Sequence, residues 1–115
     1  MVDFGVNKLR SNTKAFNEII QGEKVLVDFF ATWCGPCAYM EPFYKEAEKE
    51  LNELGAVCYK VDVDECEKFA IDNCIQFVPT VILYNYGKEM ARFNGSKNKQ
   101  GIIDFVKQSI NGCFI

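Results

Sequence analysis

The spacing of apolar and polar positions changes several times along the chain, and each change predicts a different element. Lys24 to Ala31 is a nearly continuous apolar run, which is typical of a central strand buried on both faces. Four further strands are predicted, at Val2 to Phe4, Ala56 to Val63, Thr80 to Tyr84 and Glu89 to Phe93. The last two are joined by Asn85-Tyr86-Gly87-Lys88, which predicts a hairpin.

Helical patterns, with apolar residues three and four positions apart, separate these strands. Four helices are predicted, from Thr13 to about Gly22, from Cys34 to about Glu53, from Asp64 or Glu65 to about Asn73, and from Asn98 onward. Pro42 should bend the second helix, because its ring clashes with the preceding turn. The order β-α-β-α-β-α-β-β-α predicts an α/β sandwich with a mixed sheet between helices.

Length, composition and charge narrow the class of protein. The chain has 115 residues, 49% of them hydrophobic, so we expect a single domain over residues 1–115 with a well-filled core. Its net charge of −3 and scattered lysines argue against a nucleic-acid surface. No apolar run approaches the ~20 residues of a membrane span. The start, Met1-Val2-Asp3-Phe4-Gly5, lacks the pattern of a secretory signal, so we expect a cytoplasmic protein.

The chain contains six cysteines and no histidine. The missing histidine excludes Ser-His-Asp and Cys-His catalysis, as well as histidine-ligated zinc and haem. Proton transfer must then fall to a carboxylate, a lysine, a thiol or water. In a cytoplasmic protein, cysteines are more often free or catalytic than part of a structural disulfide framework.

The most informative segment for function is Trp33-Cys34-Gly35-Pro36-Cys37. It follows a predicted strand and opens a predicted helix, so its two cysteines can meet as a dithiol or close into a disulfide. The free N–H groups and positive dipole at a helix start favour a thiolate, which is the attacking species. Pro36 suits this position, because the first helical turn has no use for its missing N–H.

Two other interpretations of Cys34 and Cys37 are half of a four-cysteine zinc site and plain burial. Zinc requires a second close pair, which the other cysteines do not supply; these are Cys58, Cys66, Cys74 and Cys113. We therefore predict a redox pair and no metal. We expect the other four to be bystanders, since Cys66 and Cys74 are ~12 Å apart along the predicted helix, too far to bridge. Oxidation or dimerisation through an exposed Cys66 or Cys74, or through Cys113, is the regulatory alternative.

The chain resembles the thioredoxin family over essentially its whole length. The resemblance rests on Trp-Cys-Gly-Pro-Cys, Asp28 six residues before the first cysteine, Pro42, Lys60, Val78-Pro79-Thr80, and Gly95 after Phe93. It implies a thioredoxin fold, with a central five-stranded mixed sheet flanked by four helices. It also implies reduction of disulfides in other proteins, with electrons from NADPH through a thioredoxin reductase and no bound cofactor.

The resemblance also assigns roles within the dithiol. It implies that Cys34 is the exposed attacking thiol and Cys37 the shielded thiol that resolves the mixed disulfide. Asp28 is then either a buried carboxylate of raised pKa that takes a proton from Cys37, or a strand-edge residue that reaches water. Lys60 either lies near Asp28 and moderates it, or is a solvated lysine at a strand end.

A client-binding groove is implied beside the dithiol. The resemblance makes Pro79 cis, so that the Val78 backbone pairs with an extended client segment, next to Thr80. Gly95 either keeps this groove open or is an ordinary loop glycine. Trp33 either covers one face of the site or belongs to the core.

Two departures from the family pattern bear on partner choice. Ala38 follows the second cysteine where many members carry Lys or Arg, and Phe30 stands where many have Trp. The first removes a positive charge beside the expected client and reductase surface. We expect a monomer with clients of the peroxiredoxin, ribonucleotide reductase or sulfoxide reductase type. A non-catalytic binding module is the second class of function. A third, an oxidase or isomerase of secreted disulfides, is disfavoured by Gly35-Pro36.

Overall fold

The computed structural model describes residues 2–3 and 13–111 of the chain. The elements run β1 (Val2–Asp3), α1 (Thr13–Ile19), β2 (Val25–Phe30), α2 (Gly35–Glu53), β3 (Val57–Asp62), α3 (Glu67–Asp72), β4 (Thr80–Asn85), β5 (Lys88–Asn94) and α4 (Lys99–Asn111). This is the order that the hydrophobic pattern predicts. Helix α2 continues through Pro42.

The strands form one mixed sheet in the order β1-β3-β2-β4-β5. Strand β3 pairs in parallel with β1 and β2, whereas β4 pairs antiparallel with both β2 and β5. Strand β2 is therefore central, and Asp28 lies opposite Lys60 on one side and Val81 on the other. The predicted five-stranded sheet with four helices is confirmed.

Each face of β2 contributes to a different hydrophobic core, which explains its nearly continuous apolar sequence. Leu26 packs with residues of α2 and α4, including Met40, Leu51 and Ile103. Val27 and Phe29 pack on the opposite face with Phe16 of α1 and Phe69 of α3, whose rings stack at 4.7 Å. Alternation along the strand places Asp28 on the same face as Leu26, the face that α2 covers.

Helix α2 is tied to the sheet by a buried phenol. The Tyr44 hydroxyl lies 3.3 Å from the Leu26 carbonyl oxygen and 2.9 Å from that of Tyr59, one on β2 and one on β3. Tyr44 is 1% exposed, so these carbonyls are the partners that offset the burial of its hydroxyl. The contact fixes the height of α2 over the centre of the sheet.

Helix α3 begins later than predicted, and Cys66 and Cys74 lie outside its two ends. A turn precedes the helix because the Asp64 and Cys66 N–H groups donate to Asp62, at its Oδ1 and its carbonyl oxygen respectively. Cys66 is buried, so the regulatory alternative that requires an exposed Cys66 is wrong. Cys74 lies beyond the helix end, exposed and with φ of 56°. Cys113 falls outside the described residues.

We expect Leu51→Ala to destabilise the protein by about 2–5 kcal/mol, because Leu51 of α2 is fully buried and its loss leaves a cavity against the sheet. Urea denaturation measures the free energy of unfolding. The control is Ile71→Ala in α3, where a side chain 74% exposed should cost less than about 0.5 kcal/mol. Equal losses in both variants would contradict the placement of α2.

Candidate active site

The two motif cysteines lie at the start of α2 and form a disulfide. Cys34 is the N-cap residue, with extended backbone angles, and its Sγ accepts the Cys37 N–H at 3.2 Å. The two Cα atoms are 5.3 Å apart. Gly35 and Pro36 supply the first residues of the helix, and both are exposed. The N–H group of this first turn that reaches the Cys34 sulfur is therefore that of Cys37.

The two sulfurs differ in their surroundings and hardly in their exposure. Cys34 is 6% exposed and Cys37 is 4% exposed, so the expectation of an exposed Cys34 is wrong for the disulfide form. The Cys34 Sγ lies 3.5 Å from the Val78 carbonyl oxygen, at the outer side of the site. Cys37 instead lines an open cavity together with Asp28.

Asp28 is buried beneath the dithiol. Asp28 is only 5% exposed, and its Oδ1 has no hydrogen-bond partner among the described residues. The strand-edge interpretation is therefore wrong. Burial raises the pKa of Asp28 from its ordinary value of 3.8 to about 7, against an opposing effect of the Lys60 charge. The Glu41 charge raises it further. Asp28 therefore changes its protonation state near neutral pH.

Lys60 lies beside Asp28 on the neighbouring strand rather than in solvent. Its side chain is 19% exposed, its ammonium lies 4.9 Å from the centre of the Phe30 ring, and it reaches Glu41 Oε1 at 3.4 Å. These groups and Cys37 line a cavity of about 340 Å³, which we call the Asp28 cavity. Ala31, Thr32, Ala38, Asp62 and Glu65 complete its lining.

Trp33 does not belong to the core. It is 71% exposed, and its indole N–H donates to Asp64 Oδ2 at 2.7 Å. The turn before α3 supplies this carboxylate, so the same turn that delays the helix also orients the indole. No sequence pattern pointed to Asp64, which the turn after β3 brings to the indole of Trp33.

The predicted client groove follows α3. The Val78–Pro79 peptide is cis, and the buried Thr80 Oγ1 lies 2.7 Å from both the Phe77 carbonyl oxygen and Asn94 Oδ1. The Gly95 N–H donates to the Pro79 carbonyl oxygen at 2.8 Å, with φ of 86°. A Cβ at Gly95 would meet no atom within 4 Å, so this glycine is required by its backbone angle.

Phe77 and Glu41 also line the site, and neither was predicted from the sequence. Phe77 is 63% exposed and, with Trp33 and Val78, lines a second concavity of about 170 Å³. No pattern distinguished it from the nine other phenylalanines. Glu41 did carry a signal, since it follows Cys37 by four positions on a predicted helix and must lie on the same helical face.

The described residues do not form a metal site. Within residues 2–3 and 13–111, no three Cys, Asp or Glu side chains lie together in a way that could hold a metal ion. No helix of the same residues is long and apolar enough to cross a membrane. A strand–disulfide–helix unit above a buried carboxylate defines the class instead: a dithiol–disulfide oxidoreductase on an α/β sheet.

Comparison with known proteins narrows this class of oxidoreductase to one family. The family profile described as Thioredoxin matches residues 7–108. Thioredoxin-2 of Saccharomyces cerevisiae is 38% identical over 92 residues, which are 79% of this chain and 86% of the relative. A Plasmodium falciparum thioredoxin structure superposes with a TM-score of 0.76 at 36% identity, covering 84% of this chain and 92% of the other.

A second solved structure matches with a TM-score of 0.80 at 25% identity, covering 94% of each chain. It concerns thiol resolution in a yeast mitochondrial 1-Cys peroxiredoxin via glutathione and thioredoxin systems. The chain belongs to the thioredoxin family. It is a protein-disulfide oxidoreductase that works by dithiol–disulfide exchange.

We expect Asp28→Asn to be more stable than the native protein above pH 7, by up to about 4 kcal/mol. The native carboxyl has a raised pKa, so it binds its proton more tightly than the unfolded chain does. Stability is therefore lost as pH rises from about 4 to about 7, and the cost is constant above that range. Urea denaturation at pH 3.5, 5.5 and 8 measures the difference.

The control for this prediction is Asp104→Asn on the exposed side of α4. Its stability relative to the native protein should not follow the same curve. A gap between Asp28→Asn and the native protein that stays constant from pH 3.5 to 8 would contradict the raised pKa.

Proposed function

We propose that this protein is a general reductant of protein disulfides that receives its electrons from NADPH through a thioredoxin reductase and maintains cell redox balance. The single observation that carries the proposal is the Cys34–Cys37 disulfide at the N-terminus of α2, with Asp28 buried beneath it. No bound cofactor is required, because the two sulfurs carry both electrons.

Cys34 is the attacking thiolate and Cys37 the resolving thiol in this proposal. The Cys37 N–H at 3.2 Å from the Cys34 sulfur, together with the helix dipole, supports a thiolate at position 34. Attack forms a bond between Cys34 and one client sulfur and releases the other as a thiolate. The Cys37 sulfur then bonds to Cys34, and the client sulfur leaves, so the dithiol is oxidised and the client disulfide is reduced by two electrons.

Asp28 accepts the proton that Cys37 loses in the second step. The support is its place in the cavity that Cys37 also lines, and a pKa of about 7, which lets one carboxyl both accept and release a proton at neutral pH. Lys60 moderates this proton affinity through its charge.

The client binds beside the disulfide as an extended segment along Val78. The Val78 carbonyl oxygen is 3.5 Å from the Cys34 sulfur, so a strand paired there would present its own disulfide to Cys34. Trp33 lies exposed at the edge of the site. Thr80 and Pro79 hold the backbone of the groove. Gly95 fixes the far wall of the groove, because its N–H donates to the Pro79 carbonyl oxygen.

A cytoplasmic monomer, with all 115 residues in one domain, is part of the same proposal. Cys58 and Cys74 are free thiols, which is typical of a reducing compartment. Clients include disulfide-containing enzymes of the peroxiredoxin, ribonucleotide reductase or sulfoxide reductase type. The likeness to a structure from a peroxiredoxin system supports the first of these.

The test is reduction of insulin disulfides, followed as precipitation, with NADPH and a thioredoxin reductase. We expect NADPH consumption that depends on this protein, and slower turnover in Asp28→Asn. The control Asp104→Asn should retain native turnover. A silent assay, with Cys34 and Cys37 shown by thiol titration to be reducible, would contradict the proposed function.

The two cysteine variants should fail in different ways. Cys34→Ser should lose activity, since the helix-end N–H of Cys37 points to the sulfur at position 34 and the Cys37 sulfur faces the Asp28 cavity instead. Cys37→Ser should still attack but accumulate as a mixed disulfide, because no resolving thiol is within reach. Mass spectrometry after incubation with an oxidised client measures the adduct. Adducts on the Cys34→Ser protein through Cys37 would reverse the two roles.

A further inference from the structure

The Asp28 cavity contains a charged pair, of which the proposed proton transfer uses only the Lys60 charge. Glu41 follows Cys37 by one helical turn, and its Oε1 lies 3.4 Å from the Lys60 ammonium. The same oxygen lies 3.4 Å from Lys45, one turn further along α2. Exposure increases outward through this group, from Asp28 at 5% to the side chains of Lys60 at 19% and Glu41 at 45%.

The pair is placed where it can act on Asp28. Lys60 is the cross-strand neighbour of Asp28, yet Asp28 Oδ1 has no hydrogen-bond partner. The Lys60 ammonium therefore affects that oxygen through space rather than through a hydrogen bond. The strength of this electrostatic effect depends on the distance between the Lys60 ammonium and Asp28, and the flexible lysine side chain allows several positions. Glu41 holds it at the mouth of the cavity, over the Phe30 ring.

We propose that Glu41 is a positioning residue for the dithiol chemistry: it holds the Lys60 ammonium at the mouth of the Asp28 cavity and thereby sets how readily Asp28 takes the proton of Cys37. This rests on the proposed function. In that step the Cys37 proton moves to Asp28, the Cys37–Cys34 bond forms, and the bond from Cys34 to the client sulfur breaks. Ala38, on the same helix, adds no further cation to Lys45 and Lys60, which both pair with Glu41.

Most charged groups that line the cavity with Asp28 are acidic, so the position of the Lys60 ammonium matters for the charge of Asp28. The titratable groups that share its cavity are Cys37 and Glu41 from α2, Lys60 and Asp62 from β3, and Glu65 from the following turn. Strand β4 contributes the apolar Val81. Among the described residues, Lys60 is the one cation in that lining. Partial burial raises the pKa of Glu41, but Lys60 and Lys45 outweigh it and lower the pKa, so Glu41 is charged at neutral pH.

The direction of the effect follows from these charges. Removing the Glu41 charge takes away one repulsion from the Asp28 carboxylate and frees Lys60 to turn inward. Both changes favour ionised Asp28. A Glu41→Gln protein should therefore hold the Asp28 proton less tightly, and its reduction of clients should shift its pH dependence to lower pH.

The experiment is a pH titration of the Asp28 side-chain carboxyl carbon by NMR in the reduced protein. We expect the midpoint in Glu41→Gln to fall by roughly half a unit. The matched control is Glu50→Gln, on the same helix and also paired with a lysine, Lys99, at 3.5 Å. Its Glu50 side chain is 47% exposed, close to that of Glu41, and it lies outside the cavity lining, so its midpoint should equal that of the native protein.

A second background isolates the role of Lys60. In Lys60→Met, the change from Glu41 to Gln should shift the midpoint by less than in the native background, because no ammonium remains to be held. An equal shift in both backgrounds would overturn the positioning role, and so would an unchanged midpoint in Glu41→Gln. Circular dichroism checks that each variant folds. The titration needs no reductase or client, so a silent insulin assay with a shifted midpoint would reject the proposed function and leave the positioning role intact.

Discussion

The placement of α2 across the end of β2 is the constraint on which the rest of the site depends. The chain leaves the central strand at Phe30 and begins the helix four residues after Ala31, so the dithiol must lie above the carboxyl end of that strand. Tyr44 fixes the helix to β2 and β3 through two carbonyl oxygens. Because these contacts hold the helix in position, Cys37 stays beside the cavity that contains Asp28.

A central strand can carry a carboxyl group only if the rest of the fold is stable enough to hold it. The raised pKa of Asp28 corresponds to roughly 4 kcal/mol against folding at alkaline pH, a substantial share of the stability of a domain of this size. Apolar residues on both faces of β2 offset that cost. The same burial that weakens the fold gives Asp28 its proton affinity, so stability and chemistry are opposed at this position.

The sequence predicted the order of elements, the five-stranded sheet and the dithiol, because each depends on local patterns: period, caps and a short motif. It failed where side chains meet across elements. The turn that delays α3 depends on hydrogen bonds to Asp62, and the burial of Cys66 follows from where that turn ends. The low exposure of Cys34 in the disulfide form depends on the Val78 segment, 44 residues later. The contact of Glu41 with Lys60 joins a helix to a strand in the same way.

The chain has one tryptophan, and it stands exposed at the edge of the disulfide with its indole tied to Asp64. Indole emission depends on the polarity and the quenching groups around the ring. A partner that covers this surface, or a disulfide that opens beside it, therefore changes the light emitted by a single identified residue. The fluorescence of Trp33 therefore reports on the surface beside the Cys34–Cys37 disulfide.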